Sequence, residues 1–176
     1  MKGNSLIKNL NDYTVLDIET TGFSPKNNEI IELAAIKVRN GKIVDTYNSL
    51  IKPANEISSS ISNLTGITNE MIKYSPNIEE EFINFLKFIG ADIVIGHNIT
   101  FDISFISTNS LKIFSSPFLN NYIDTLTLSR RYVKSPHHNL KTMANIFNID
   151  YTGAHRALKD CFITQTLYEI LKKEIH

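Results

Sequence analysis

The sequence has no tryptophan, only one cysteine and no excess of charge of either sign among its 176 residues. The single Cys161 excludes an internal disulfide bond and favours a reducing compartment. Lysine plus arginine and aspartate plus glutamate number 18 each, so no global basic field indicates a nucleic-acid-binding protein. Any contact with nucleic acid must therefore be local.

Long apolar runs are also missing. None approaches the ~20 residues that a membrane-spanning helix needs. The polar start, Met1 to Ser5, leads into no apolar stretch of the kind that a signal peptide contains. We therefore expect a soluble, cytoplasmic protein without membrane contact.

The length and composition are those of an ordinary globular domain, with 42% hydrophobic and 20% charged residues. We expect one domain over residues 1–176. Residues 1–11 read as an N-terminal arm that is loose or contains a short helix.

Three antiparallel strands are predicted at the start of the chain, over residues 13–19, 29–39 and 42–51. Their residues are largely apolar, β-branched or aromatic, as is typical of strands. Asn40-Gly41 separates the last two, and both residues tolerate the positive φ that a tight hairpin turn requires.

The rest of the chain alternates helices with short apolar strands. Ser75-Pro76 predicts a helix start and Gly90 its end, and the apolar run of 92–96 follows as a buried parallel strand. Further predicted elements are a helix over 100–109, a strand over 122–125, and helices over 125–132, around 140–147 and over 155–173. This order predicts an α/β fold, with a mixed sheet flanked by helices.

Asp17 and Glu19 interrupt the first strand two residues apart. Positions i and i+2 of a strand face the same side, so two carboxylates stand side by side where apolar residues are expected. Their repulsion disappears if a hard divalent cation such as Mg²⁺ binds between them. The alternative is a pair of solvated acids on an edge strand.

Two further acids lie where a site could form. Asp102 falls one turn into a helix that follows a strand end, which is where open α/β sheets place their sites. Asp160 falls at the edge of the apolar face of the last helix, beside Leu158 and Cys161, and is expected to point towards the sheet. Taken singly, each could be an ordinary surface carboxylate.

Three sequence blocks occur in a characteristic order: Asp-Ile-Glu-Thr-Thr-Gly (17–22), His-Asn-x-x-Phe-Asp (97–102) and His-x-x-x-x-Asp (155–160). Together they resemble the DnaQ-like 3′–5′ exonucleases of the DEDDh type. The likeness extends from about residue 12 to residue 172 and includes the segments 64–68 and 124–126. Within this family, the chain is most similar to the epsilon-type proofreading exonucleases of bacterial replicative polymerases.

The resemblance implies a ribonuclease H-like fold with a central mixed five-stranded sheet. It also implies that two Mg²⁺ or Mn²⁺ ions are held by Asp17, Glu19, Asp102 and Asp160. His155 would be the general base that takes the proton of the attacking water, a task suited to a residue type that changes charge near neutral pH. The alternative for His155 is a histidine without function at a helix start.

The substrate contacts implied by the resemblance are less specific. Thr20 would donate to the terminal nucleotide through its backbone or hydroxyl, and Gly22 would allow close approach. His97 and Asn98 would orient neighbours or the terminal sugar, or else cap and support other residues. Three apolar residues could contact the terminal bases, although core packing is the alternative for each: Leu64, Ile67 and Phe101.

A local cluster of basic residues could steer a phosphate backbone towards the site, or could be an ordinary solvated helix end. It comprises Arg130, Arg131, Lys134, His137, His138 and Lys141.

These observations predict a metal-dependent 3′–5′ exonuclease that acts on single-stranded ends, with DNA favoured over RNA, in proofreading or repair. An RNA-trimming exonuclease would use the same chemistry, because nothing in the motifs reads the 2′ position of the sugar. A non-catalytic module that associates with a DNA polymerase is the alternative from another class. The predicted acids argue against a non-catalytic module, because a scaffold has no need of a cluster of carboxylates that repel one another.

Overall fold

The computed structural model describes residues 3–175 and is organised around a five-stranded mixed sheet. The order across the sheet is β3-β2-β1-β4-β5, with β1, β2 and β3 antiparallel and β4 and β5 parallel to β1. The predicted mixed sheet is therefore confirmed. The strands are β1 (Tyr13–Thr20), β2 (Ile30–Arg39), β3 (Lys42–Leu50), β4 (Val94–Gly96) and β5 (Tyr122–Asp124).

The predicted hairpin between β2 and β3 is present. Asn40 and Gly41 have φ values of 52° and 71°, the left-handed conformation at both central positions that suits a two-residue hairpin turn.

Helices cover both faces of the sheet. They are α1 (Ser59–Thr65), α2 (Asn69–Ile72), α3 (Ile78–Ile89), α4 (Thr100–Phe114), α5 (Thr125–Tyr132), α6 (Leu140–Ile146) and α7 (Ala157–Leu171), followed by a 3₁₀ turn over Lys172–Glu174. None of the helices within residues 3–175 combines the length and the apolar character needed to cross a membrane.

Two predicted helix boundaries are wrong for local reasons. The helix assigned to Ser75-Pro76 begins at Ile78, because Asn77 and Glu80 form a reciprocal capping box there. Helix α4 continues past residue 109 to Phe114. In its polar middle, side chains donate to backbone carbonyls one turn earlier, as when Thr108 donates to the carbonyl of Ser104 at 2.8 Å.

The N-terminal arm is neither loose nor helical over its described part, residues 3–12. Ser5 forms a parallel bridge with Tyr122 beside β5, and the hydroxyl of Tyr168 donates to the carbonyl of Lys8 at 2.8 Å. The arm therefore lies along the sheet edge and the last helix. Met1 and Lys2 fall outside the described residues.

Alternating residues of β1 supply the two hydrophobic cores. Leu16 and Ile18 face α3 and α4. Tyr13 and Val15 face α7 on the other side of the sheet. Because side chains alternate along a strand, Asp17 and Glu19 follow Tyr13 and Val15 on the α7 face.

Candidate active site

The acids predicted as a group meet at the carboxyl end of β1. Asp17 and Glu19 are joined there by Asp160 from the first turn of α7, and one carboxylate oxygen from each lies within 4.8 Å of the others. The prediction that Asp160 points towards the sheet is confirmed.

Asp160 has an oxygen available for a cation. Its side chain is buried, and Oδ2 accepts the backbone N–H of His155 at 3.3 Å. Oδ1 is buried without any hydrogen-bond partner. A buried carboxylate oxygen without a partner is costly unless a cation binds it, and oxygen ligands of this kind suit hard divalent ions. The donor set therefore fits Mg²⁺ or Mn²⁺.

Asp102 approaches the cluster from the other core. It lies in the first turn of α4, is buried, and accepts the backbone N–H of Ile18 at 3.1 Å. This bond places its carboxylate beside Asp17, although Asp102 is not among the three acids whose oxygens lie within 4.8 Å. The charges of Asp102, Asp160 and Glu19 all act on Asp17.

Burial and mutual repulsion raise the pKa of every acid in the site. For Asp17, burial raises the pKa most, followed by the charges of Asp102, Asp160 and Glu19. Burial raises the pKa of Glu19 to about 8, with the charge of Asp160 adding to the effect. Burial likewise raises the pKa of Asp102 and of Asp160. Without a cation, a pKa of about 8 leaves Glu19 largely protonated at neutral pH, and a bound divalent ion would displace that proton.

His155 lies beside the cluster but not at a helix start, so the prediction of a helix from residue 155 is wrong. Its φ is 66°, and α7 begins at Ala157. Its ring is exposed and meets the ring of Tyr151 edge-on, with 6.2 Å between centroids. Histidine tolerates the left-handed region better than most residues. The backbone N–H bond to Asp160 couples His155 to the acids.

Thr20 and Gly22 shape the turn that follows β1. The hydroxyl of Thr20 donates to the carbonyl of Gly22 at 2.7 Å, so its proton is already used and the predicted hydroxyl contact to a nucleotide would require this bond to break. A Cβ on Gly22 would lie 2.6 Å from Nδ2 of Asn28. Gly22 therefore makes room for Asn28, whose side chain accepts the backbone N–H of Ser24 at 3.0 Å.

The same turn presents an aromatic residue that the sequence analysis missed. Phe23 is 88% exposed and stands edge-on to the half-buried ring of Phe101, with 6.5 Å between centroids. Phe101 in turn packs against Phe105. The sequence signal was an isolated aromatic among turn residues directly after Gly22. We call Phe23 and Phe101 the aromatic shelf.

Leu64 and Ile67 differ in accessibility. Leu64 is 52% exposed on α1, so its side chain is available for contact. Ile67 is fully buried against Ile31, Ile57 and Ile72. Its predicted contact with a base is wrong for this structure, and core packing, the alternative for this residue, is what the structure has.

His97 and Asn98 occupy the turn after β4. Both ring nitrogens of His97 are engaged, Nδ1 with the hydroxyl of Thr125 at 2.9 Å and Nε2 with the carbonyl of His138 at 2.8 Å. His97 therefore supports the loop before α6. Asn98 has a φ of 62° and an exposed side chain, and its backbone N–H bonds to Asp124 at 2.8 Å. Burial lowers the pKa of His97.

The structure divides the predicted basic cluster. Arg130, His137 and His138 line a cavity of about 650 Å³ that also contains His97 and Asn98. The other members are exposed elsewhere, and Arg131 lies over the ring of Tyr132. Only part of the cluster therefore faces the carboxyl ends of β4 and β5.

One further acid near the site was missed. Glu32 of β2 pairs directly with Glu19 across the β1–β2 ladder and is fully buried. Its sequence signal was the same as for Asp17 and Glu19, a carboxylate inside an apolar strand.

A mixed sheet of this order, with buried and half-buried acids gathered at the end of its central strand, is that of the ribonuclease H-like nucleases. The sequence profile of the RNase T family, described as Exonuclease, matches residues 14–168. The chain therefore belongs to the RNase T exonuclease family.

Its relatives include large polymerases. The chain is 37% identical to the PolC-type DNA polymerase III of Thermotoga maritima over 96% of its own length and 13% of the polymerase. It is 40% identical to the corresponding Staphylococcus aureus protein over 89% of its length and 11% of the polymerase. The chain thus spans only about an eighth of the curated relatives that it matches.

Solved structures show the same fold. Exonuclease X in complex with 5′-overhanging duplex DNA is 25% identical, with a TM-score of 0.75 over 92% of this chain and 91% of that one. A zinc-bound complex of E. coli exonuclease I with single-stranded DNA is 17% identical, with a TM-score of 0.80 over 99% of this chain and 41% of that one.

Proposed function

We propose that this exonuclease removes nucleoside 5′-monophosphates from single-stranded DNA 3′ ends by divalent-metal-dependent hydrolysis. The observation that carries the proposal is the group of Asp17, Glu19 and Asp160 oxygens within 4.8 Å, one of them a buried oxygen without a partner. Buried carboxylates this close are stable together only with a cation or shared protons.

In the proposed mechanism, Asp17, Glu19 and Asp160 would hold one divalent ion, and Asp102 together with Asp17 would hold a second. Such ions act as Lewis acids on the scissile phosphate and favour ionisation of the attacking water. His155 accepts the proton of that water as the water oxygen bonds to phosphorus. The bond between phosphorus and the 3′ oxygen breaks and the 3′ oxygen takes up a proton from solvent. The phosphate stays on the released nucleoside 5′-monophosphate, and the strand is shortened by one nucleotide.

The surroundings of the acids suit a single-stranded end. The aromatic shelf offers an apolar ring surface next to the acids, and single strands are bound largely by stacking and backbone contacts. Asn98 presents a free polar side chain at the neighbouring strand end. Exonucleases X and I, with which this chain shares its fold, are described in complex with DNA. DNA is therefore the preferred substrate in this proposal.

We further propose that the domain proofreads or repairs newly made DNA in association with a DNA polymerase, in the cytoplasm. The similarity to PolC-type polymerases supports this role. A purely non-catalytic association module is disfavoured, because it would keep a repulsive set of acids without using it.

The first test is metal dependence. We expect 5′-labelled single-stranded DNA to shorten stepwise with Mg²⁺ or Mn²⁺, and EDTA to abolish the product ladder reversibly, because the acids cannot act without a cation. Nucleoside 5′-monophosphates are the expected products. Matched DNA and RNA oligomers should be digested in parallel.

Undiminished cleavage in EDTA would contradict the metal mechanism. Faster digestion of RNA than of DNA would replace the DNA assignment by RNA trimming, while the chemistry stayed the same.

A second prediction concerns the aromatic shelf. Phe23→Ala should weaken binding of single-stranded DNA roughly 10–100-fold, since one base stacked on an aromatic ring contributes about 1–3 kcal/mol. A contact made equally in the ground and transition states raises KM and leaves kcat nearly unchanged. Steady-state kinetics on a short oligonucleotide measure both constants.

Leu119→Ala is the control, because Leu119 is 55% exposed and lies just before β5, whereas the aromatic shelf follows the carboxyl ends of β1 and β4 at the other end of these strands. An unchanged KM for Phe23→Ala would show that the Phe23 ring does not bind the substrate.

A further inference from the structure

A buried ion pair connects the sheet to the start of α7. Glu32 on β2 is fully buried and accepts two bonds from the guanidinium of Arg156, from Nη2 at 2.8 Å and from Nε at 3.2 Å. A third bond comes from the backbone N–H of Ala157 at 3.0 Å. The Glu32 carboxylate therefore accepts bonds both from the Arg156 side chain and from the first backbone N–H of α7.

Helix α7 depends on this external carboxylate. Its N-cap residue, Arg156, makes no side-chain cap, so the helix start would otherwise have a buried backbone N–H without a partner. Arg156 is extended, with φ −128° and ψ 123°, and this conformation turns its side chain back towards β2. The direction of the first helical turn is thus fixed from the sheet.

The residues on either side of this anchor are those of the reaction. His155 immediately precedes Arg156, and Asp160 lies in the first turn, with its backbone N–H bonded to the carbonyl of Arg156 at 3.0 Å. Asp160 in turn accepts the backbone N–H of His155. On the sheet, Glu32 stands directly opposite Glu19. The ion pair therefore spans the two structural elements whose relative position defines the acid cluster.

We propose that Glu32 and Arg156 are a positioning pair, which holds His155 and Asp160 in register with Asp17 and Glu19. The inference rests on the proposed function, since it assigns the pair a role in that same site. A two-bond contact between guanidinium and carboxylate fixes orientation as well as distance, which a single charge contact does not. Losing a residue that orients metal ligands typically costs about 10–100-fold in metal affinity or activity.

Charge and geometry can be separated by substitution. Arg156→Lys keeps the positive charge but cannot donate two parallel bonds in a fixed plane. The double variant Glu32→Gln/Arg156→Met removes both charges, so no unpaired charge remains in the interior. A pair that served stability alone would leave folded molecules of either variant fully active.

A matched control exists on the same strand. Arg39 also binds a carboxylate with two bonds, those of Nη2 to Asp92 Oδ1 and Oδ2 at 2.8 and 2.7 Å. It lies at the far end of β2, roughly 23 Å from Glu32 along an extended strand. Arg39→Met breaks this more exposed pair, in which one guanidinium nitrogen donates both bonds, without touching the site.

The experiment first measures activity and Mn²⁺ affinity of the parent, then the same quantities and thermal unfolding of the variants. We expect folded Glu32→Gln/Arg156→Met and Arg156→Lys to lose about 10–100-fold in kcat, to change KM little and to bind Mn²⁺ more weakly. Arg39→Met should retain the kcat and Mn²⁺ affinity of the parent.

A kcat and Mn²⁺ affinity within twofold of the parent in the folded double variant would overturn the inference. If the double variant does not fold, the same comparison on Arg156→Lys decides. An inactive parent would instead refute the proposed function, so the two failures are distinguishable.

Discussion

Asp17→Ala is expected to abolish turnover while leaving the metal-free protein folded and at least as stable as the parent. Asp17 is one of the three acids whose oxygens lie within 4.8 Å and feels the charge of Asp102 as well, so its loss removes a ligand from both proposed ions. Bound divalent ions contribute several kcal/mol of transition-state stabilisation, and each 1.36 kcal/mol is tenfold in rate. The expected loss is on the order of 10³-fold or more.

Asp17→Ala should also remove a repulsion between carboxylates that depends on pH. Glu19 has an ordinary pKa of 4.5, which burial raises to about 8 in the folded protein, and burial raises the pKa of Asp17 as well. Between a pH of about 4.5 and a pH of about 8, the folded state therefore binds more protons than the unfolded chain. The stability of the metal-free parent should therefore fall as pH rises from about 4.5 to 8.

Thermal unfolding across this pH range, with and without Mn²⁺, measures the effect. Mn²⁺ should raise the melting temperature of the parent most at the alkaline end, and should leave Asp17→Ala almost unchanged. Asp45→Ala on β3 is the control, because Asp45 is an exposed acid on the same sheet. A metal-free Asp17→Ala that melts well below the parent would show that the carboxylate is structural.

The sequence predicted those parts of the fold that depend on local pattern. The apolar strands, the Asn40-Gly41 turn and the placement of Asp17 and Glu19 on one face all follow from periodicity and turn chemistry. The gathering of Asp102 and Asp160 with these two acids was implied by the family resemblance, whereas position alone indicated only that Asp102 follows a strand end and that Asp160 points towards the sheet.

Two of the failures, the start of α7 and the N-terminal arm, depend on distant partners. No local pattern shows that α7 begins at Ala157, because its cap is Glu32, 125 residues away in sequence. The N-terminal arm is held by Tyr122 and Tyr168, which are likewise remote. Local propensity cannot predict such contacts, since they form only once the sheet has assembled.

The substrate residues were predicted less well for a related reason. Sequence patterns identify a residue as apolar but do not show whether a turn exposes it. Asn28 organises the turn that presents Phe23, whereas α1 and α2 fold Ile67 into a core. Phe23 and Ile67 are both apolar and differ in solvent accessibility, which sequence patterns do not show.

His155→Asn is expected to lower the rate about 10²–10⁴-fold, the usual contribution of a general base, while Mn²⁺ binding stays nearly intact. Asparagine is the informative substitution because His155 has a φ of 66°, a left-handed conformation that asparagine adopts readily and alanine does not. The backbone N–H bond to Asp160 should thereby be retained, so the variant removes the imidazole alone.

Asp102→Ala supplies the contrast, because a carboxylate beside Asp17 that serves as a ligand should lose Mn²⁺ affinity together with rate. Added imidazole should partly restore the activity of His155→Gly. Glycine leaves room for the imidazole ring and still adopts the left-handed conformation. Mn²⁺ titrations of the asparagine and Asp102→Ala variants decide between the roles. Should His155→Asn lose Mn²⁺ as severely as Asp102→Ala, His155 would be a ligand and another group would have to accept the proton of the water.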